Sequence, residues 1–211
     1  MTYHELKKNR PYGPTVRLVS KGGKLVVEKT YRDKGLPVRL LGSALIFWEG
    51  FIYSRLQGLE GIPEALPAPD RLTLVTGFMG GENLKDTSRT PGDAYFASLK
   101  NLIERMHGRG VIHLDLRNRR NYGIDDRGMP YLVDFATCLY IPWGNRVRRL
   151  FETIDWMGFA KVKDKILPRS LDEREKGLLS LGERLSMIWL PTKLVRAVRE
   201  WVKLLRSKRR K

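Results

Sequence analysis

The polar stretch GVIHLDLRNRRNYGID, residues 110–125, lies between two apolar segments and concentrates side chains that could do chemistry. It contains His113, Asp115 and Asn121, with arginines between the last two. A carboxylate can orient an attacking hydroxyl, and an amide oxygen can bind a divalent cation. Composition alone does not separate such a site from a solvated loop, so the rest of the chain must supply the remaining groups.

Three further residues complete a set that could support transfer of a phosphoryl group. That reaction needs a lysine to hold phosphate oxygens, oxygen ligands for magnesium, and a carboxylate beside the acceptor hydroxyl. Lys29 lies in the run LVVEK, Glu49 lies in the apolar stretch FWEGFIYSRL, and Asp134 ends the run YLVDFA. Any one of these residues is more often an ordinary surface or turn residue, so it is their order along the chain that indicates a site.

The elements that must position these residues are strands in the first third of the chain and helices in the remainder. The runs TVRLVS and KLVVEKTY predict two strands joined by a tight turn at Gly22 and Gly23. A helix is predicted from Ser43 to near Gly58 or Gly61, followed by a strand in DRLTLVTGF and a second helix in PGDAYFASLKNLIERMHGRG. Four residues of the second helix share a face that should pack in the core: Tyr95, Leu99, Leu102 and Met106. The residues after YLVDFA are predicted to be helical, with breaks at Pro142, Pro168 and Pro191. This succession predicts an α+β protein of two lobes.

Composition narrows the class of partner and the compartment. Among the 211 residues, Lys plus Arg number 40 against 23 Asp plus Glu, a formal charge of +17, so anionic partners are expected. The single cysteine, Cys138, excludes an internal disulfide, and no Cys/His cluster has zinc spacing. The first residues, MTYHELKKNRPYG, lack the apolar core of a signal peptide, and no apolar run is expected to approach the roughly 18 residues of a membrane span. We therefore expect a cytoplasmic protein that is soluble or peripheral to a membrane.

With HLDLRNRRN followed by VDFA, the chain resembles proteins of the protein-kinase-like fold. The run LVVEK resembles the strand that supplies the kinase lysine, and FWEGFIYSRL resembles the helix that carries its ion-pair partner. The resemblance covers about residues 15–140 and implies an α+β, two-lobed protein-kinase-like fold with a reduced C-terminal lobe. It divides the chain into a β-rich nucleotide-side lobe (1–78), a helical lobe with the catalytic loop (79–190) and a basic amphipathic tail (191–211).

The resemblance also implies a role for each site residue. Asp115 would be the catalytic carboxylate beside the acceptor hydroxyl, and Arg117 would be a cation facing the transferred phosphate. Lys29, paired with Glu49, would hold the α- and β-phosphates of ATP. Residues 76–79, TGFM, would form the connection that faces adenine.

Asn121 and Asp134 would bind Mg²⁺ in this scheme, with one departure from the family pattern. Kinases have four residues between the catalytic aspartate and the metal-binding asparagine, whereas LRNRR supplies five here. Either the loop bulges by one residue or Asn118 takes the role. We favour Asn121, because NYGID then matches the short strand that normally follows it.

Other departures indicate which kinases the chain resembles. The loop that covers the phosphates is normally rich in glycine, but NRPYGP offers only Gly13, between two prolines that lack amide donors. Leu114 replaces an arginine common in regulated protein kinases, and no APE-like segment follows VDFA. Fewer than eighty residues remain for the lower lobe. The chain is therefore most similar to small atypical kinases, namely lipopolysaccharide kinases and RIO-like kinases.

The predicted function is transfer of the γ-phosphoryl group of ATP, with Mg²⁺, to a hydroxyl of a lipopolysaccharide or other glycolipid sugar. The alternatives are an atypical protein serine/threonine kinase and an inactive pseudokinase that serves as a binding module. The tail PTKLVRAVREWVKLLRSKRRK could pack on the lower lobe or lie on acidic lipid at the inner membrane face. Nucleic-acid binding is less favoured, because aromatic residues are not interleaved with the basic runs.

Overall fold

A computed structural model describes residues 4–5, 11–144 and 146–188, and it begins with a five-stranded antiparallel sheet. Its strands are β1 (His4–Glu5), β2 (Thr15–Lys21), β3 (Lys24–Thr30), β4 (Ala65–Leu66) and β5 (Thr73–Gly77). Their order in the sheet is β1-β2-β3-β5-β4. The two strands predicted before residue 32 and the strand predicted in DRLTLVTGF are therefore present.

The β2–β3 hairpin closes through the predicted glycine turn. Lys21 pairs with Lys24, and Gly22 and Gly23 between them have φ of 56° and 77°, a left-handed conformation that glycine adopts without strain. Side chains alternate between faces along a strand. Val26 therefore points into a small core with residues of β2 and β5, whereas Lys29 points to the opposite face.

Helix α1 (Leu36–Leu56) follows the hairpin and begins earlier than the predicted start at Ser43. Pro37 lies in its first turn, where a missing amide costs no intrahelical bond, and the Ser43 hydroxyl donates to the Leu40 carbonyl instead of capping an N-terminus. The first two turns expose apolar side chains, so they lack the hydrophobic periodicity that marks a buried face.

The early start of α1 also corrects the expectation about apolar runs. The helix has 21 residues and is long and apolar enough, by length and composition, to cross a membrane. Its second half nevertheless belongs to the protein core, where Glu49, Ile52 and Leu56 are buried. Glu49 also forms an ion pair with Lys29 of β3, which holds the helix against the five-stranded sheet.

The second half of the chain is built around helices. Helix α2 (Asp93–Gly108) buries Tyr95, Leu99, Leu102 and Met106, the face predicted from their spacing. One short strand, β6 (Glu82–Asn83), precedes this helix, and four follow it: β7 (Val111–Ile112), β8 (Tyr122–Ile124), β9 (Pro130–Leu132) and β10 (Leu139–Tyr140). Strands β6, β8 and β9 form one sheet, and β7 pairs with β10.

Helices α3 (Arg146–Ile166) and α4 (Glu173–Ile188) complete the described chain. A buried ion pair joins them, with the Lys163 ammonium 2.8 Å from the Glu175 carboxylate. Pro142 precedes α3 and Pro168 separates it from α4, as the sequence predicted. The predicted tail, residues 191–211, lies outside the described residues, and the division of the chain at residue 78 stays a prediction.

Candidate active site

Three of the predicted site residues meet at one point between the sheet and the helices. The Lys29 ammonium on β3 lies 2.7 Å from a carboxylate oxygen of Glu49 on α1 and 2.9 Å from one of Asp134, which follows β9. The Glu49 side chain is 2% exposed and that of Asp134 is 30% exposed. The cluster therefore has a buried side and a side that faces solvent.

The surroundings of Lys29 keep its ammonium group charged. Burial by itself would lower the pKa of Lys29, but the nearby carboxylates of Glu49 and Asp134 outweigh that effect and raise the pKa above its ordinary value of 10.5. A permanently charged ammonium at this position can hold phosphate oxygens.

The loop after β7 brings Asp115 and Asn121 together. The Asn121 amide donates to the Asp115 carboxylate at 2.9 Å and to its backbone carbonyl at 3.0 Å. A 3₁₀ turn over Arg119–Asn121 takes up the longer spacer between the two residues. The loop therefore accommodates its extra residue without separating the pair.

Asn118 occupies a different position from Asn121. Asn118 is exposed, and its side-chain oxygen accepts the Arg120 amide, as in an N-cap. Its amide group makes only long contacts, 3.3 Å to Asp115 and 3.4 Å to the Asn121 side-chain oxygen. Asn121 is buried at 2% exposure, so of the two it has the more fixed geometry.

Backbone hydrogen bonds place Asn121 beside Asp134. The Val133 amide donates to the Asn121 carbonyl at 3.0 Å, and the Val133 carbonyl lies 3.2 Å from His113 Nε2. His113 thereby ties the loop to the chain that carries Asp134. The two clusters are neighbours in one site.

The donor atoms of this site fit magnesium better than a softer metal. Among the described residues, no group of three or more His, Cys, Asp or Glu could hold an ion by itself. Asp134 and Asn121 offer one carboxylate and one amide oxygen, and magnesium is commonly bound by one or two carboxylates together with substrate phosphates. A magnesium ion here would thus depend on nucleotide for its remaining ligands.

Two residues of the site have a left-handed backbone that side chains other than glycine rarely adopt. Leu114 has φ of 63° and Asp134 has φ of 70°. Such residues cost on the order of 1–3 kcal/mol each and cluster at functional sites. The surrounding structure must therefore hold both in place.

Asp155 fixes the backbone of Leu114, and the sequence did not predict that Asp155 would belong to the site. Its carboxylate is fully buried and accepts the backbone amides of His113 and Leu114, each at 2.7 Å. Its Oδ2 also lies 3.0 Å from His107 Nε2. The sequence did contain a signal for this role: Asp155 lies on the same side of α3 as the buried Phe159 and Val162. An aspartate on a buried helix face needs hydrogen-bond partners.

Phe135 and Gly158 fix the remaining contacts around the loop. The fully buried Phe135 ring lies 5.0 Å from the rings of Tyr53 and His113, which anchors the chain directly after Asp134. At Gly158 of α3, a Cβ would lie 2.8 Å from the Arg117 amide nitrogen, so only glycine allows α3 to approach the loop this closely.

The other predicted site residues are less firmly connected. Arg117 is exposed two residues after Asp115, and Gly13 lies in the turn before β2. The hydrogen bonds described above for Lys29, Asp115 and Asn121 involve neither of these two residues. Residues 76–79 end β5 and lead into Gly80 and Gly81, both at positive φ. The roles assigned to these residues stay predictions.

Comparisons with known proteins identify the fold. No protein-family model matches the chain, and no curated protein matches it either. It is similar to the Rio2 kinase from Chaetomium thermophilum in its ADP/Mg²⁺-phosphoaspartate complex, with a TM-score of 0.62 and 16% identity over 99% of this chain and 72% of that one. A second structure of that kinase gives a TM-score of 0.60 and 17% identity over 91% of this chain and 70% of that one.

The similarity confirms the predicted protein-kinase-like fold, with its mixed α/β architecture. It supports the RIO-like part of the predicted resemblance at low sequence identity. Neither structure is a lipopolysaccharide kinase, so that part stays a prediction.

Proposed function

We propose that this protein is an ATP- and Mg²⁺-dependent phosphotransferase that transfers the γ-phosphoryl group to a hydroxyl. The observation that carries the proposal is the meeting of Lys29, Glu49 and Asp134, with ammonium to carboxylate distances of 2.7 and 2.9 Å, beside the hydrogen-bonded pair of Asp115 and Asn121. The Rio2 neighbour, which was crystallised with ADP and Mg²⁺, supports the same choice of nucleotide and metal.

Each residue has a task that suits its position. Lys29 binds phosphate oxygens, and Glu49 orients its ammonium group. Asp134 and Asn121 hold magnesium, which neutralises charge on the transferring group when bound. Asp115 accepts a hydrogen bond from the acceptor hydroxyl and orients it toward the γ-phosphorus.

The charge around Asp115 bears on the acceptor. Arg117 and Arg120 are exposed and Arg119 is half-buried, so three guanidinium groups lie within five residues of the carboxylate. Arginine binds phosphate and carboxylate groups through paired hydrogen bonds. We therefore propose an acceptor that carries negative charge next to its hydroxyl, namely a sugar of lipopolysaccharide or another glycolipid, with a protein Ser/Thr hydroxyl as the alternative.

The test measures magnesium-dependent ATP binding and phosphoryl transfer from labelled ATP, with membrane glycolipid extract or a mixed soluble protein fraction as acceptor. Lys29→Ala should weaken nucleotide binding, and Asp115→Asn should abolish transfer while nucleotide still binds. Lys24→Ala and Asp164→Asn replace an exposed lysine on the same strand and an exposed aspartate on α3, so both should behave as wild type.

The pattern of outcomes separates the candidate functions. Label in glycolipid supports the main proposal, and label in protein supports the alternative acceptor. Magnesium-dependent ATP binding without transfer to any acceptor would identify a pseudokinase. Absence of ATP binding by the folded wild-type protein would overturn the proposal.

A further inference from the structure

Helix α1 exposes an apolar surface that the candidate active site does not use. Five large hydrophobic side chains near its N-terminal end, between residues 36 and 47, face solvent, and we call them the α1 apolar face: Leu36 (68% exposed), Leu40 (65%), Leu41 (71%), Leu45 (43%) and Phe47 (77%). Single exposed hydrophobic residues are ordinary. Several of them on adjoining turns of one helix form a contiguous patch of the kind that marks an interaction site.

The charges near this face indicate the kind of partner. Arg39 is the only charged residue among residues 36–47, and it is exposed. The whole chain has a formal charge of +17. Two copies of the chain, each with this net positive charge, repel each other, whereas an anionic surface with an apolar interior attracts the protein.

The composition of α1 favours lipid as that surface. The helix is apolar enough for a hydrocarbon environment, yet only 28% of its most apolar window is buried inside the protein. An interfacial helix places its apolar side chains at the boundary between headgroups and acyl chains, while basic residues interact with anionic headgroups. We propose that the α1 apolar face docks this protein onto an anionic membrane surface.

The contacts of α1 limit the docking to the membrane interface. Gly42 packs against the Tyr31 ring, where a Cβ would meet ring carbon at 2.4 Å, and Ile46 is buried on the same side. Glu49 accepts a hydrogen bond from Lys29 on the buried side of the helix. The helix therefore cannot leave the core to span a bilayer, and its exposed face must enter the interface from one side.

Docking does not rest on the proposed function. Phe47 lies two residues before Glu49, a rotation of about 200° at about 3.6 residues per turn, so the two side chains point to opposite sides of the helix. The α1 apolar face can therefore enter the membrane interface while Glu49 remains paired with Lys29.

The first test is sedimentation of the full chain with vesicles made of equal parts phosphatidylglycerol and phosphatidylcholine, or of phosphatidylcholine alone. Binding should favour the anionic vesicles and weaken with salt. The Leu40→Gln/Phe47→Gln double variant should bind at least about tenfold more weakly, because it lacks the favourable free energy of moving two large apolar side chains from water into lipid. Leu181→Gln removes an exposed leucine of α4 and should leave vesicle binding unchanged.

The second test measures directly whether position 47 enters the lipid. Cys138 is buried, so in a Phe47→Cys variant an environment-sensitive fluorophore can be attached at position 47 alone. On anionic vesicles its emission should shift to the blue and become sensitive to quenchers in the acyl region. Wild-type vesicle binding by the double variant, or a label that stays in water while the protein is vesicle-bound, would overturn the proposal. The proposal would also be overturned if the wild type self-associates and does not bind lipid, and if the double variant loses that self-association.

Discussion

The buried Asp155 carboxylate accepts a hydrogen bond of 2.7 Å from the backbone amide of His113, at the start of the loop that carries Asp115. Its other oxygen accepts the amide of Leu114, also at 2.7 Å. One side chain of α3 thus satisfies two consecutive backbone donors and holds Leu114 in its left-handed conformation. The geometry of the candidate catalytic loop depends on a helix that follows it by some forty residues.

Replacing Asp155 should destabilise the protein and displace the loop. Asp155→Ala leaves two buried amides unpaired, each at a cost of about 1–3 kcal/mol, and Asp155→Asn, which keeps one acceptor oxygen, should lose less. Urea unfolding measures the loss. Asp164→Asn, an exposed aspartate on the same helix, should leave the unfolding free energy within about 0.5 kcal/mol of wild type. Equal effects of Asp155→Asn and Asp164→Asn would contradict this role.

Asn121, and not Asn118, should determine magnesium binding in the presence of nucleotide. Asn121 is buried and bonded twice to Asp115, whereas Asn118 is exposed and caps a turn. Asn121→Ala should weaken magnesium-dependent nucleotide binding by about tenfold or more, because loss of a direct ligand should cost at least as much as loss of a group that only supports a ligand. Titration calorimetry with Mg²⁺ and a non-hydrolysable ATP analogue provides the measurement. A larger loss in Asn118→Ala would reverse the assignment.

Lys29 should stay charged throughout the neutral and moderately alkaline range. Its folded-state pKa lies above the ordinary 10.5, so its stabilising contribution is complete below 10.5 and is lost only as pH rises through the higher folded-state value. The difference in unfolding free energy between wild type and Lys29→Met should therefore be constant from neutral pH to about pH 10. If this difference became smaller as the pH falls from about 10 to neutral, the carboxylates of Glu49 and Asp134 would not be keeping Lys29 charged.

Gly158→Ala should disturb the same loop from the helix side. A Cβ there would lie 2.8 Å from backbone atoms of Leu116 and Arg117, which cannot rotate away as a side chain could. We expect a loss of about 1–3 kcal/mol in unfolding free energy, together with weaker phosphoryl transfer. Gly177→Ala on α4 is the matched control, because a Cβ there meets nothing within 4 Å. It should be neutral or stabilising by up to about 1 kcal/mol.

The thiol of Cys138 should report unfolding. Burial raises the pKa of Cys138 well above its ordinary 9.0, and the residue is 2% exposed, so both the reactive thiolate and access to it are suppressed. A thiol reagent should react slowly with native protein and at once in denaturant. Rapid labelling of the native protein would show that the segment after Phe135 opens readily.

Five site residues could be predicted from the sequence in kinase order, because each lies in a short segment with a clear local pattern: Lys29, Glu49, Asp115, Asn121 and Asp134. The β2–β3 turn was predictable for the same reason, since Gly22 and Gly23 supply the left-handed backbone that a two-residue hairpin turn needs. The start of α1 was not predictable in this way. Its first turns face solvent with apolar side chains, and a pattern of buried periodicity cannot detect an exposed apolar face.

The sequence by itself determined the set of reactive side chains, the hairpin, the faces of α2 and the excess of positive charge, because these depend on residue type and on neighbours a few positions away. Only the tertiary structure decided that Asp155 holds the loop, that Asn121 is buried while Asn118 is exposed, and that Gly158 allows α3 to approach. These three outcomes depend on contacts between segments far apart in the chain. Such contacts arise when helices pack, and no local pattern encodes their distances.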